Sequence, residues 1–155
     1  MPAEDMFHEL LLTFFTAMTP VLELRGAIPV GVAAGLPPAV ACAVSIVGNL
    51  VPVPFIILLT RRIFDWLRRT RTFGPRIQWL EHRAHLKGRL VRKYRLAGLM
   101  ILVAIPLPGT GAWTGALVAA VLDIRLRHAM PAIAMGVVIA GIIITALTMG
   151  VVHLF

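Results

Sequence analysis

A chain of 155 residues with 59% hydrophobic and only 14% charged residues and a mean hydropathy of +0.88 lacks the polar surface of a soluble globule. It reads as an integral membrane protein of single-domain length. The net charge of +8 would suit a nucleic-acid binder, but 12 of the 15 Lys and Arg residues fall between Arg61 and Arg95, and a basic cluster between apolar runs marks a cytoplasmic loop instead. The single cysteine, Cys42, excludes an intramolecular disulfide.

In chain order, the N-terminus Met-Pro-Ala-Glu-Asp is acidic where a signal peptide is basic, so no cleaved leader is expected. The first apolar segment, Phe7–Gly35, is interrupted at Pro20–Pro29. Leu36–Thr60 is long enough to span a bilayer at roughly 20 residues per crossing. Pro52 and Pro54 predict a kink within it, since proline removes an N–H and clashes with the carbonyl four residues back. Residues 61–95 form a basic amphipathic stretch. Ile63, Trp66 and Leu67 face away from Arg61, Arg68 and Arg69, and Ile77, Leu80 and Ala84 repeat the pattern after Gly74-Pro75. Trp66, Trp79 and Tyr94 suit a headgroup boundary. Anionic lipid headgroups are therefore the expected partner of this stretch, and nucleic acid is not. Leu96–Leu122 is interrupted at Pro106–Gly111, and Ala129–Val152 again has spanning length. Each interrupted segment divides into halves of about a dozen residues, too short to cross singly, and reads as a re-entrant hairpin.

The two halves correspond. Pro20–Leu36 aligns without a gap on Pro106–Leu122, an offset of 86, and both halves run hairpin first, then spanning helix. Charge sets the orientation: the basic loop after Thr60 lies inside, as do Arg125 and Arg127, while the turn Gly35–Pro38 has no Lys or Arg and lies outside. The expected fold is an all-α integral membrane protein, an inverted repeat of re-entrant hairpin plus transmembrane helix. Hairpins at 7–35 and 96–122 precede helices at 36–60 and 129–152. The basic interfacial segment 61–95 is cytoplasmic and the N-terminus is external. Ala132, Gly136 and Ala140, spaced by four, offer a close-packing face to a neighbouring helix or a second subunit. Two spanning helices and two hairpins make a thin wall for a substrate path, so a homodimer is expected.

Chemistry concentrates at the hairpin tips, which in inverted-repeat transporters meet near the bilayer midplane. Glu23 and Arg25 stand between charge-free runs, the second of 35 residues from Gly26 to Thr60, and ionisable groups in such a place commonly serve a substrate or ion path. Arg25 suits an anionic headgroup through its planar fork, and Glu23 suits a protonatable coupling role. The pair could equally be an internal lock between the tips. In the second tip, Gly109, Thr110, Gly111 and Thr114 open a half-helix whose N–H groups and hydroxyls could hold an anion, or whose glycines could serve only a tight turn. Asn49 lies mid-helix before the two prolines, where it could bond the loosened backbone or the hairpin tip, or act as a ligand. The five histidines show no metal-binding spacing, and no nucleophile–base set is apparent. Neither a metal, a cofactor nor an enzymatic activity is expected.

The motifs Pro20-x-x-Glu23-Leu-Arg25-Gly26-Ala-Ile-Pro29, Asn49-x-x-Pro52-x-Pro54 and Pro106-Leu-Pro108-Gly109-Thr110-Gly111-Ala-Trp113-Thr-Gly115 resemble the small multidrug export family of prokaryotic membrane proteins. That family is similar to the DedA (SNARE-associated, VTT-domain) superfamily. The resemblance implies paired re-entrant hairpins in a prokaryotic cytoplasmic membrane. It also implies transport of a phosphorylated lipid such as a polyprenyl phosphate, coupled to protons or sodium, with Glu23 and Arg25 as the first hairpin's acid and base. Further acidic and arginine residues of the DedA motif are not found here. The alternatives are proton-coupled export of cationic drugs and a non-transporting membrane scaffold or partner protein.

Overall fold

The computed structural model describes residues 3–70 and 90–154, with Pro75 between them. Ile77, Trp79, Leu80, His82, Ala84 and His85, and with them the centre of the basic segment, lie outside the described residues. The described chain is all-helical: α1 Ala3–Met18, α2 Glu23–Ala33, α3 Pro38–Leu50, α4 Pro52–Arg68, α5 Leu90–Ala104, α6 Ala112–Val121 and α7 Leu126–Leu154. Two stretches are long and apolar enough to cross a membrane, Pro38–Leu67 and Leu126–Leu154.

Prolines punctuate the first of these stretches. Pro38 opens α3 and Pro52 opens α4, with a bend at Val51 between them. Val51 keeps helical dihedrals, φ −56 and ψ −48, so the bend comes from lost hydrogen bonds: Pro52 and Pro54 cannot donate to the carbonyls of Gly48 and Leu50. The expected kink is thus present. The helix does not end at Thr60, however, but runs on to Arg68, because the amphipathic face of Ile63 and Leu67 continues its register. The last long helix likewise begins at Leu126 rather than Ala129.

The first break is much shorter than expected. It occupies Thr19–Leu22, and the helix resumes at Glu23. Gly26 and Pro29 therefore lie inside α2. Backbone bonds close the gap, from Glu23 N–H to the Thr19 carbonyl at 3.2 Å and from Gly26 N–H to the Leu22 carbonyl at 2.9 Å. Pro29 is tolerated there by leaving one carbonyl, that of Arg25, without its helical donor.

The short helices end alike. Gly35 (φ 98) and Asp123 (φ 52) each take a left-handed conformation just past α2 and α6. Leu36 N–H returns to the Gly31 carbonyl at 3.0 Å, and Ile124 N–H to the Ala119 carbonyl at 2.9 Å. These are paired Schellman closures. The equivalent turns stand 88 residues apart, so the ungapped pairing at an offset of 86 is displaced by two positions.

α1 packs on α3 and α5 on α7, while α2 also reaches α7 and α6 lies against α4. Each short helix therefore touches the long helix of the other half. The core joins Leu24, Ile28, Val53, Ile57, Val103, Ile133 and Val137 around the alanines of α6, whose small side chains permit close approach. Phe7, Phe15, Phe55, Ile142 and Leu147 are exposed on the outer surface, the distribution of a protein whose solvent is lipid.

The small-residue face of α7 is consumed within the chain. A Cβ on Gly136 would sit 2.7 Å from the Met100 carbonyl oxygen and 2.7 Å from Val103 Cβ, so α5 occupies this face. At Gly136 the neighbour is therefore an intramolecular one.

Candidate functional site

The turn residues Thr19–Leu22 and the loop Ile105–Gly111 bring the starts of α2 and α6 together. Glu23 opens α2 with a positive φ of 46, a conformation that costs a non-glycine residue about 1 kcal/mol or more and aims its side chain at α6. Its carboxylate is buried. Oε1 accepts the backbone N–H of Trp113 at 3.2 Å, and Gly111 lies so close that an added Cβ would collide with Oε2. α6 has no side-chain cap of its own. Glu23, 90 residues away, caps it from the other half, placing a negative charge at the positive end of the helix.

Arg25 goes the other way. Its Nη2 donates to the Thr110 carbonyl and to Thr110 Oγ1 at 3.0 Å. Glu23 and Arg25 lie in the first turn of α2, Glu23 with its left-handed φ, and reach different partners across the junction, with no direct ion pair among the described residues. Neighbours at i, i+2 on a helix do not face each other.

The Thr110 hydroxyl is fully engaged. It accepts Leu107 N–H at 3.2 Å and faces the carbonyls of Ile105 at 2.7 Å and Leu107 at 2.9 Å. Thr114 Oγ1 donates to the Gly109 carbonyl at 2.8 Å. Gly109, with φ +82, has nothing within 4 Å of a notional Cβ, so its glycine serves the turn rather than a close contact. Trp113 braces the junction from a third direction, its indole N–H donating to the Met18 carbonyl at 3.2 Å.

Two cavities adjoin the junction. One, of about 40 Å³, is lined by Pro20, Val21, Gly109, Thr110 and Thr114 together with Glu23 and Arg25. The other, of about 10 Å³, is lined by Asn49, Leu24, Val137 and Ile144 among others, and again by Glu23 and Arg25. The two charged side chains thus form the wall between them. Asn49 is 1% exposed, and neither Oδ1 nor Nδ2 has a protein hydrogen-bond partner. It bonds neither the loosened backbone nor the hairpin tip.

Sequence reasoning missed the far end of α6. Arg61 donates through Nη2 to the Ile124 carbonyl and stands 3.7 Å from Asp123. Arg95 Nη1 lies 3.5 Å from the Leu122 carbonyl. Two arginines of the basic stretch therefore neutralise the negative end of the helix that Glu23 caps at its positive end. The charge count placed these arginines at the membrane surface but carried no sign of this contact. No group of three or more metal-ligating side chains occurs among the described residues.

Residues 23–143 match the protein family described as "Putative small multi-drug export protein". The matched region begins at Glu23 and includes Arg25, Asn49, residues 109–114 and most of α7. No curated protein and no solved structure matches the chain.

Proposed function

This chain is a member of the small multi-drug export protein family, and we propose that it is a carrier for an anionic amphiphile, with a phosphorylated lipid such as a polyprenyl phosphate as the substrate class. The observation that carries the reading is the cross-cap: the carboxylate of Glu23 occupies the N-terminus of α6, a place in the junction that attracts an anion. A phosphate and the ionised Glu23 compete for the same N–H groups. When Glu23 takes a proton it releases the helix end, and a headgroup can then bind between that end and Arg25, whose guanidinium lines the larger cavity. Uptake of one proton thereby admits one anion, which is the stoichiometric condition for coupling. Gly109, Thr110, Gly111 and Thr114 shape the receiving loop, while the lipid tail stays in the bilayer. Asn49 lines the smaller cavity and acts from behind Glu23.

The proposal includes the inverted repeat of two re-entrant hairpins. It is supported by the matched Schellman turns and by the way each short helix lies on the opposite long helix. It also includes a prokaryotic inner membrane with the basic segment 61–95 inside, a homodimer formed by some face other than the Gly136 stripe, and the likeness to DedA proteins that suggests the polyprenyl substrate. The carrier makes and breaks no covalent bond.

A second reading, proton-coupled export of cationic drugs, draws on the family's description and would make Glu23 the counter-ion of the substrate. Arg25 at the same cavity opposes it, since it would repel a cation.

Flux in proteoliposomes separates the two. A fluorescent polyprenyl-phosphate analogue and a cationic dye are compared, with and without a proton gradient, in wild type, Glu23→Gln and Arg25→Ala. The carrier reading expects gradient-dependent movement of the phosphate probe that Arg25→Ala abolishes and Glu23→Gln uncouples. Dye movement lost in Glu23→Gln, with the phosphate probe immobile, establishes drug export instead. Folded protein that moves neither probe leaves the scaffold reading.

A further inference from the structure

Asn49 is the polar side chain the carrier scheme leaves unexplained. It sits on α3 in the centre of the protein with both amide atoms lacking protein partners, although buried amides are almost always satisfied because an unmade hydrogen bond there costs the whole desolvation of the group. The cavity it lines measures about 10 Å³, the space that one water occupies. A resident water also needs two to four polar contacts, and Asn49 and Glu23 are both among the residues that line this cavity. The carboxylate already accepts Trp113 N–H at Oε1 and is also hydrogen-bonded by the backbone of Ala112, but its two oxygens offer about four lone-pair sites, so it can accept a water as well. A cation fits the same space less well, because the Arg25 guanidinium lines it too. One turn earlier on the same face of α3, Ser45 is also fully buried, and its Oγ has no protein partner.

We propose that a single water is bound between Asn49 and Glu23, and that Asn49 positions it as the group through which Glu23 exchanges its proton on the side away from the larger cavity. This deepens the carrier reading and rests on it. Glu23 would then meet substrate on one face and its proton donor on the other, so the proton need not share the path of the headgroup. Among the described residues, Arg25 is the only other charged group lining either cavity. α3 contributes Asn49, α6 contributes Ala112 and Thr114, the loop before it contributes Gly109, Thr110 and Gly111, and α5 and α7 contribute apolar Val103, Val137 and Ile144.

The test is pH-induced infrared difference spectroscopy of the full chain in lipid, recorded in ordinary and in oxygen-18 water. Wild type should show a carboxyl band that Glu23→Gln removes, accompanied by a water O–H band that shifts with the heavy oxygen. Asn49→Leu, close in volume but apolar, should lose the water band and slow the hydrogen–deuterium exchange of the carboxyl. Asn49→Ser, which puts a hydroxyl in place of the amide, should retain a shifted water band, and it serves in place of the leucine variant if that one does not fold. A Glu23 carboxyl band with no isotope-sensitive water, or a water band and exchange rate unaltered by Asn49→Leu, overturns the water bridge and leaves the carrier reading standing. If no pH-dependent carboxyl band belongs to Glu23, the coupling reading falls, and the role assigned to Asn49 falls with it.

Discussion

Replacing Gly111 with alanine probes the junction at its tightest point. The added Cβ would collide with Glu23 Oε2 and lie 2.7 Å from its Cδ and 2.9 Å from Oε1. To make room, the carboxylate has to leave. It would forfeit the bond from Trp113 N–H, worth about 1.5–3 kcal/mol for a charged acceptor, and its attraction to the helix end, about 0.3–1 kcal/mol or more when partly buried. The expected loss is therefore about 2–4 kcal/mol of stability. In a Glu23→Ala background the steric obstacle is gone and only the backbone strain of alanine at φ +157 remains, so the same substitution should cost clearly less. The coupling energy should then reach about 2 kcal/mol, well beyond the roughly 0.5 kcal/mol within which independent sites add. Unfolding of the four proteins in mixed micelles, followed by tryptophan fluorescence, measures it. Gly98→Ala provides the control. No atom lies within 4 Å of its notional Cβ, so it should gain about 0.5–1 kcal/mol from helix propensity. Additive losses from Glu23→Ala and Gly111→Ala would refute the capping of α6 by Glu23.

Four further substitutions separate the elements of this architecture. Arg25→Lys exchanges a fork for a point charge; it should cost about 1.5–3 kcal/mol through lost bonds to Thr110, read as a lower unfolding midpoint, and should also reduce flux of the phosphate probe. Gly136→Ala should destabilise the monomer by about 1–3 kcal/mol through overpacking against α5, with no change in oligomeric mass by light scattering; a shift in mass at unchanged stability would return this face to a subunit interface. Arg61→Gln should weaken the protein measurably more than Asp123→Asn. Asp123 is 77% exposed and its ion pair spans 3.7 Å, so the pair contributes about 0–1 kcal/mol, whereas Arg61 also serves the carbonyl of Ile124. Equal losses in a denaturation series would argue against that assignment.

The helical membrane character was legible because it depends on local chemistry. Long apolar runs with no strand-like alternation must satisfy their own backbone as helices, and Pro52 and Pro54 mark the bend wherever the chain is placed. The motif residues Glu23, Arg25, Thr110 and Gly111 were recognisable as a set, and they do meet. Their partners were not legible. Pro20, Gly26 and Pro29 suggested a long irregular turn, yet only four residues leave the helix, since a proline within α2 costs one hydrogen bond while the buried face of Leu24, Ala27 and Ile28 favours the helix over the whole segment. The spacing of Ala132, Gly136 and Ala140 announced a close contact without naming the helix that makes it.

What composition and periodicity determined, then, is a helical chain in lipid, with two charges where charges are costly. Which atoms those charges serve was decided by folding. Glu23 reaches Trp113 and Arg25 reaches Thr110 across 90 and 85 residues of chain, while Asn49 is left facing a cavity. Such pairings arise when small residues let two helix ends approach, and no local pattern records a contact made by parts of the chain that far apart.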